Sequence, residues 1–319
     1  MKVRFWGTRG SLPASINAEM IRKKIMAALE TAINKGIDPE TDIGAFIDNE
    51  LPFWIKGTYG TNTSCIEIQD GETFILCDAG SGLRDFGNYI LKSGNNSLPG
   101  GDYHIFISHL HWDHIQGFPF FIPAYIAGNR ITIHGCHKDM ARIFSVQQSS
   151  PSFPMELKKL DAEICFDILT PGRTYNIKGF SVTAKKQYHP GESYGYRFER
   201  DGKIIVYSTD SEHKYQSDEN SDPFKNFFRG AHLLIFDAQY TLADACTNKA
   251  DWGHSNNVIG VELAQKSGVR HLCLFHQEPV TDDKALDKLL EDTKKFADIM
   301  KKDSPLSISI AWDGMVVEL

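Results

Sequence analysis

Two kinds of hydrophobic pattern alternate along the chain: short apolar runs with a two-residue period, and longer segments with a helical period. Runs such as Lys2–Trp6 and Tyr103–Ser108 are alternating or continuously apolar, which is typical of strands buried on one or both faces. The dipeptide Asp201-Gly202 separates two such runs and predicts a tight hairpin. The predicted strands are Lys2–Trp6, Ser64–Gln69, Glu72–Gly80, Tyr103–Ser108, Arg130–Gly135, Phe180–Lys185, Tyr194–Arg200, Lys203–Ser208, Ala231–Ala238, Val269–His276, Leu306–Ile310 and Met315–Leu319.

Helices are predicted between the groups of strands, at Asn17–Asn34, Asp42–Leu51, Asn256–Lys266 and Ala285–Met300. The first two belong to a mainly helical insert at about residues 12–56. Its apolar face is expected to be covered by the body of the protein or by a second subunit, so the insert serves as packing or as a homodimer contact. A lid over the functional site is the alternative. The residues of this face are Ile21, Ile25, Ala28, Leu29 and Ala32.

The order of elements (strands, helix, strands, helix) favours an α/β (α+β) chain in which two sheets pack face to face with helices outside. The expected architecture is a four-layer αββα sandwich of two mixed β-sheets. No linker interrupts the pattern. A single domain over residues 1–319, carrying the insert, is therefore predicted.

The charge balance argues against some classes of partner. The 319 residues contain 34 Lys and Arg against 41 Asp and Glu, a net charge of −7 with neutral histidines. Proteins that hold long nucleic acids usually carry a basic surplus, so extended nucleic acid is not an expected partner. No apolar stretch approaches the roughly 20 residues that span a bilayer, so no membrane association is expected. The six cysteines form no CxxC pair and are predicted to be reduced, which favours a cytoplasmic location.

Metal-binding chemistry is indicated by the segment SHLHWDH, which follows the strand Tyr103–Ser108. Its ionisable side chains would be desolvated at a strand end, or would repel each other when protonated. A divalent cation removes this conflict, because neutral imidazole and carboxylate are ligands that it prefers. The four candidate ligands in this segment are His109, His111, Asp113 and His114.

The segment resembles the signature of the metallo-β-lactamase superfamily, and further motifs follow in that family's order. Tyr59–Ser64 (YGTNTS) and Leu76–Gly82 (LCDAGSG) are similar to its early strands. Gln187–Pro190 (QYHP), Tyr207–Asp210 (YSTD) and Leu274–His276 (LFH) are similar to the segments that carry its remaining ligands. The resemblance spans the chain apart from the insert. It implies the metallo-β-lactamase fold and a metal-dependent hydrolase.

The resemblance also implies a centre of two divalent metal ions. Zinc is the expected metal, with manganese and iron as alternatives. Two such ions share a hydroxide that acts as the nucleophile, and they stabilise both oxygens of a displacement at phosphorus. Taken singly, His189 could be a turn residue, Asp210 a helix cap and His276 a core histidine. One metal is expected to be held by His109, His111 and His189, and the second by Asp113, His114 and His276, with Asp210 bridging the two.

The segment Trp252–Ser255 (WGHS) resembles an element of the ribonuclease Z-like phosphodiesterase branch, in which a histidine faces the scissile phosphate from outside the metal shell. His254 is accordingly expected to hydrogen-bond a phosphoryl oxygen or to protonate the leaving alkoxide. A helix-capping segment is the alternative. Asn256 departs from the family's threonine, which leaves the contact beyond His254 open. Asp113 and His254 are the expected catalytic residues.

Two further segments are candidates for the pocket. Arg9 could pair with a phosphate, but a structural salt bridge in its turn is at least as strong an alternative. The aromatic run Phe118–Tyr125 is expected to be mostly core, with one or two rings stacking on a base or lining an apolar pocket.

The expected substrate is a small phosphodiester such as a cyclic nucleotide. The long arm with which ribonuclease Z enzymes grip transfer RNA is not evident between His114 and His189, and the net charge is acidic. A ribonuclease acting on RNA 3′ ends, as in transfer-RNA 3′ processing, is the first alternative. A non-catalytic, metal-dependent ligand sensor is the second.

Overall fold

The computed structural model describes residues 1–71, 73–92, 100–213, 223–247, 249–300 and 305–319. Within these ranges the strands form two mixed sheets of seven strands each. In spatial order, the first sheet consists of β14 (Val316–Glu318), β1 (Lys2–Gly7), β2 (Cys65–Asp70), β3 (Thr73–Cys77), β4 (Asp102–Phe106), β5 (Arg130–Gly135) and β6 (Glu163–Ile168). The second consists of β13 (Ser307–Ile310), β12 (His271–Phe275), β11 (Leu233–Asp237), β10 (Lys203–Ser208), β9 (Ser193–Arg200), β8 (Phe180–Gln187) and β7 (Thr174–Ile177).

Helices cover the outer faces of the sheets or belong to the insert. Several begin at a side chain that caps the free backbone N–H groups of the first turn, as Asn256 and Asp282 do. None of the described helices is long and apolar enough to cross a bilayer. The helices are α1 (Ala18–Lys35), α2 (Ile43–Glu50), α3 (Phe53–Lys56), α4 (Gly82–Lys92), α5 (Trp112–Ile115), α6 (Met140–Gln147), α7 (Lys225–Phe228), α8 (Leu242–Cys246), α9 (Asn257–Lys266) and α10 (Asp283–Ile299).

Three buried apolar clusters separate four layers. One lies between the sheets, one between the second sheet and helices that include α9 and α10, and one between the first sheet and the α4 side. Successive residues of a central strand point to opposite faces: Ile235 of β11 belongs to the cluster between the sheets and Phe236 to the outer one. These strands are therefore apolar without interruption. The predicted αββα sandwich is confirmed.

Each sheet is parallel on one side and antiparallel on the other. β3 to β6 are parallel, as are β10 to β13, whereas the remaining neighbours pair antiparallel. The predicted hairpin is present between β9 and β10. Its turn residues Asp201 and Gly202 have φ angles of 49° and 72°, which suit the right-handed twist of the strands.

Most predicted elements are confirmed to within about two residues, although Glu72, at the start of one predicted strand, lies outside the described residues. The elements that were not predicted are α4, α6, the short helices α3, α5, α7 and α8, and the strands β6 and β7. β6 and β7 are edge strands, and β6 has no fully buried residue. An edge strand shows a weak apolar pattern because only part of its surface is covered. Because strands were predicted from their apolar pattern, these two edge strands were not recognised.

The insert forms the predicted helices, but α1 does not bury the predicted face. Ile21, Ile25 and Leu29 are exposed, whereas Ala32 is buried and Ala28 half-buried. The small residues allow α1 to approach the body closely, and the large apolar residues face outward. In the single chain the body does not cover these three residues, and cover by a second subunit, the other half of the expectation, stays a prediction. Whether residues 1–319 form one domain stays a prediction.

Candidate metal centre

Polar residues follow the carboxyl ends of central strands in both sheets. Asp78 follows β3 directly, His276 follows β12 directly, and Asp210 is the second residue after β10. The segment with His109 to His114 follows β4, and His189 follows β8. Because these strand ends lie at the same edge of the two packed sheets, residues far apart in sequence meet there.

The structure brings all seven predicted ligands together. Their nitrogen and oxygen atoms form overlapping groups in which each atom lies within 4.8 Å of the others. The overlap means that the groups form one centre. These groups are His109 with His111 and His189, His109 with His114 and Asp210, and Asp113 with His114 and His276.

Asp210 faces both halves of the centre through different oxygen atoms. Its Oδ1 lies 3.5 Å from Nε2 of His109 and 3.9 Å from Nε2 of His189. Its Oδ2 lies 3.2 Å from Nε2 of His114 and 3.4 Å from Nε2 of His276. This is the arrangement expected of a carboxylate that bridges two cations.

The spacing of the donor atoms fits metal ions. Ligands bound at 2.0–2.1 Å to a tetrahedral ion lie roughly 3.3 Å from one another. His189 Nε2 and His111 Nδ1 are 3.3 Å apart, and His114 Nε2 lies 3.1 Å from Asp113 Oδ2. The Nε2 atom of His109 is fully buried and has no hydrogen-bond partner among the described residues. A cation would satisfy this nitrogen, so the residues present fit divalent metals.

The protonation states of His109 and Asp210 agree with this fit. Burial, together with the neighbouring His114, lowers the pKa of His109 well below its usual range, which keeps its imidazole neutral. Burial opposes ionisation of Asp210, but His114 and His276 outweigh it and hold the pKa of that carboxyl well below its usual range. Neutral imidazole and ionised carboxylate are the forms that bind a cation.

Three of the five candidate histidine ligands are oriented by a hydrogen bond from their other ring nitrogen. His114 Nδ1 lies 2.7 Å from Asp78, His189 Nδ1 lies 2.9 Å from the Gly253 carbonyl, and His276 Nδ1 lies 2.8 Å from Gln239 Oε1. Such contacts place the proton on Nδ1 and leave Nε2 free to bind a metal.

Asp78 is the most connected of these supporting residues. Besides His114, its carboxylate accepts hydrogen bonds from the backbone N–H and the hydroxyl of Ser108, at 2.7 and 2.8 Å, and from the Tyr207 hydroxyl at 2.7 Å. Ser108 immediately precedes His109, so one buried carboxylate fixes the start of the ligand loop and a ligand within it. The sequence motif contained Asp78, but its supporting role was missed.

The backbone is strained where it turns into the centre. Asp78, Asp210 and His276 have φ angles of 61°, 53° and 62°, in the left-handed region that non-glycine residues rarely adopt. Such residues cost about 1–3 kcal/mol each and cluster at functional sites. The strain is evidence that the surrounding fold imposes these positions.

Two glycines allow the chain to approach the ligands closely. A Cβ atom on Gly10 would lie 2.5 Å from the His276 ring, and one on Gly253 would lie 2.4 Å from Nδ1 of His189. The turn with Gly10 also places the Ser11 backbone N–H 2.8 Å from Asp113 Oδ2. Side chains at these glycines would push the ligands apart.

His254 lies beside the ligand groups. Its ring centroid is 5.0 Å from that of His189 and 5.1 Å from that of His276. Nδ1 of His254 lies 2.7 Å from Oδ2 of Asp237, the last residue of β11. Burial disfavours the charged imidazolium, but Asp237 outweighs this effect and raises the pKa of His254 to about 9. Asp237 and His254 also lie within 4.8 Å of Asp210 and His276.

Asp237 was missed by sequence analysis, although a signal existed. Like Asp210 and His276, it stands at the end of a strongly apolar strand. The helix cap near His254 is supplied by Asn256, whose side chain accepts from the Ile259 backbone N–H. The capping alternative therefore holds for Asn256 and leaves the His254 imidazole for another role.

The remaining candidates lie outside the centre. Arg9 is buried, and its guanidinium donates to the backbone carbonyls of Gly60, Glu278 and Thr281. The guanidinium also lies 3.6 Å from the Asp283 carboxylate, so Arg9 has the structural role, with a salt-bridge partner outside its own turn. Phe118 and Phe121 are core residues, as expected, whereas Phe120 is exposed.

A cavity of about 520 Å³ adjoins the centre at His189. It lies between the end of β8 and the loop before His254. Its lining residues are Lys186, Gln187, Tyr188, His189, Pro190, Glu212, Asp251 and Gly253.

Comparison with known proteins agrees with this geometry. A ribonuclease Z of Oceanobacillus iheyensis is 21% identical over 242 residues, covering 60% of this chain and 76% of its own. A ribonuclease Z of Picrophilus torridus is 24% identical over 282 residues, covering 74% of this chain and 86% of its own. Both relatives are ribonucleases by name, so the expectation that excluded extended nucleic acid as a partner is not supported.

Solved structures share the fold. The metallo-β-lactamase fold protein YhfI from Bacillus subtilis superposes with a TM-score of 0.64 and 18% identity, covering 99% of this chain and 98% of its own. The short form of human tRNase Z gives a TM-score of 0.60 and 18% identity, covering 100% and 99%. At 18% sequence identity, the similarity to these two structures shows a shared fold only.

The family model described as the beta-lactamase superfamily domain matches residues 73–277, which is more than half of the chain. The match begins in β3 and ends just after His276, so it contains all seven predicted ligands. The predicted superfamily is confirmed. The expectation of a metal-dependent hydrolase is confirmed with it, without a specific substrate. The chain belongs to the β-lactamase superfamily.

Proposed function

We propose that the protein is a phosphodiesterase that uses two divalent metal ions, most simply zinc, to hydrolyse a small phosphodiester such as a cyclic nucleotide. His109, His111 and His189 would hold one ion, and Asp113, His114 and His276 the other, with Asp210 between them. When bound, such ions supply an activated water molecule and neutralise the charge of the phosphoryl oxygens.

The position of His254 carries this proposal. Its ring lies within about 5 Å of ligands from both halves of the centre, and Asp237 fixes its Nδ1 proton. The imidazole can therefore hydrogen-bond a phosphoryl oxygen or donate a proton to the leaving alkoxide. Hydrolysis of a phosphodiester releases an alcohol. The leaving alkoxide is a poor leaving group, so a proton donated to it by His254 would favour the reaction.

Asp113 is proposed to act in catalysis as well as in binding. Its Oδ2 lies 3.2 Å from Nε2 of His276 and accepts a hydrogen bond from the Ser11 backbone N–H. This hydrogen bond fixes the orientation of the carboxylate within the centre.

Hydrolysis of bis(p-nitrophenyl) phosphate by the zinc- or manganese-loaded protein tests the proposal. Turnover is expected in the wild type and should be abolished in His111→Ala and Asp210→Ala, while circular dichroism shows that the fold persists. A fully loaded wild type that is inert on phosphodiesters but opens thioesters or lactones would show that the substrate class is wrong.

A ribonuclease acting on RNA 3′ ends is the second candidate, favoured by the names of the two curated relatives. It predicts cleavage of a transfer-RNA precursor with a steep dependence on salt, because many phosphates would be contacted. A non-catalytic sensor would instead bind nucleotides and release no product over long incubation. The single domain, the homodimer and the cytoplasmic location stay predictions.

A further inference from the structure

The cavity beside His189 has the size and position of a substrate subsite. Its volume of about 520 Å³ falls within the range of small-molecule pockets. Its walls are the end of β8 and the loop 251–253, and His189, a candidate ligand, is part of its lining. A group attached to a phosphate at the metal centre would enter this space.

Tyr188 supplies an aromatic surface at this cavity. The side chain is 60% exposed although it adjoins the buried centre. Its ring makes an edge contact with the buried Phe224, with centroids 5.8 Å apart at an angle of 67°. This contact restricts the phenol ring, so little conformational freedom remains to be lost when another ring stacks on it. Trp252 is also exposed and stands between two lining residues, Asp251 and Gly253.

Charged side chains are part of the described lining of the cavity. Lys186 is basic, and its ammonium group lies 2.6 Å from the Glu192 carboxylate. Glu212 and Asp251 are acidic, and both have partners within the chain. A carboxylate can accept hydrogen bonds from an uncharged group that carries donors.

Glu212 is held so that it can accept such donors. Its Oε1 and Oε2 accept hydrogen bonds from the backbone N–H groups of Asp251 and Gly253, at 3.2 and 3.3 Å. Its own backbone N–H donates to the Tyr188 carbonyl at 2.8 Å. Each carboxylate oxygen can accept more than one hydrogen bond. The residue thus joins the two walls and presents fixed acceptors.

We propose that this cavity binds the nucleoside part of a nucleotide phosphodiester whose phosphate lies at the metal centre. This inference rests on the proposed function. The base stacks on Tyr188, and ribose hydroxyl or base N–H groups donate to Glu212, as carboxylates accept ribose hydroxyls in other nucleotide sites.

Two cyclic phosphates that differ in the base test the proposal. The zinc-loaded protein is assayed on adenosine 3′,5′-cyclic monophosphate and on the methyl ribofuranoside 3′,5′-cyclic phosphate, which lacks the base. The wild type should prefer the first, as measured by kcat/KM. Tyr188→Ala should raise KM for the nucleotide roughly 5- to 100-fold and reduce the preference, while Tyr188→Phe should retain it.

Tyr89→Ala is the matched control. Tyr89 is another exposed tyrosine, but it packs on Trp6 and Arg4 and is not part of the cavity lining. Its substitution should leave the preference at the wild-type value. If Tyr188→Ala slows both substrates equally, Tyr188 has a structural role and the proposal is wrong.

Binding of free adenosine to the zinc-loaded protein gives a readout that needs no turnover. Saturation-transfer NMR should show contact with the base in the wild type and its loss in Tyr188→Ala. Equal turnover of the two cyclic phosphates without adenosine binding would overturn the nucleoside subsite and leave the phosphodiesterase intact. Adenosine binding in a protein that cleaves no phosphodiester would support the subsite and reject the proposed function.

Discussion

The carboxylate of Asp237 lies 2.7 Å from Nδ1 of His254, and both side chains are buried next to the candidate metal ligands. The pair joins the end of β11 to the residues before α9. It sets the tautomer of the imidazole and stabilises its protonated form. A histidine held in this way can donate a proton without binding a metal.

Asp237→Asn should lower kcat on phosphodiesters by roughly 10²- to 10⁴-fold, because the orientation and the proton affinity of His254 are both lost. His254→Ala should have an effect of similar size, and the double variant should be little worse than either. Metal content, measured by plasma mass spectrometry, should not change. Loss of a metal equivalent in Asp237→Asn would instead identify Asp237 as a ligand.

Asp210 and Asp113 should differ in their effect on metal stoichiometry. Asp210 faces both groups of histidines, so Asp210→Ala should weaken both sites, whereas Asp113→Ala should weaken the one that contains His114 and His276. His232→Ala is a matched control, because His232 lies outside the ligand groups. Equal losses in the two aspartate variants would contradict the bridging role.

Asp78→Asn should reduce metal affinity about 10- to 100-fold, since His114 would lose the carboxylate that orients it. Competition with a zinc indicator measures this change. Asp85→Asn, at a more exposed acid on α4, serves as the control and should bind metal as the wild type does. An unchanged affinity in Asp78→Asn would mean that the fold alone orients His114.

The free energy of unfolding should decrease with acidification, in part through His134. Burial lowers the pKa of His134 to about 4 against the opposing effect of Asp167, and His104 and Asp102 also face it. The unfolded chain, with an ordinary pKa near 6.5, takes up the proton first. The contribution of neutral, buried His134 to the free energy of unfolding is therefore complete above pH 6.5, and it is lost as the pH falls toward 4.

For the metal-free protein, the loss from His134 amounts to about 2 kcal/mol at pH 5 relative to pH 7. His134→Gln should remove that part of the decrease, as urea unfolding at the two pH values would measure. Identical pH dependence in wild type and variant would show that His134 is protonated equally in both states.

The exposed face of α1 gives a test of the predicted homodimer. Ile25→Glu and Leu29→Glu change residues that are 55% and 59% exposed, so the stability of the single chain should change by less than about 0.5 kcal/mol. If the face is a subunit contact, analytical ultracentrifugation should show a dimer in the wild type and a monomer in the variants. A monomeric wild type at micromolar concentration would exclude this contact.

Much of the centre could be predicted because its ligands lie in short motifs. His109, His111, Asp113 and His114 occur within six residues, and His189, Asp210 and His276 each follow an apolar run. Their supporting residues could not be predicted in the same way. The Tyr207 hydroxyl meets Asp78 across 129 residues, and Ser11 meets Asp113 across 102. Such contacts depend on how the two sheets pack, which no local pattern records.

The sequence by itself determined the family, the order of the main strands and the chemistry of the ligands, because residue type and hydrophobic period act locally. The tertiary structure alone decided that the two oxygens of Asp210 face different histidines, and that Asp237 meets His254. It also decided that α1 packs through alanines and leaves its larger apolar residues exposed. These outcomes follow from the alignment of strand ends and from shape complementarity between distant segments, which form only when the whole chain has folded.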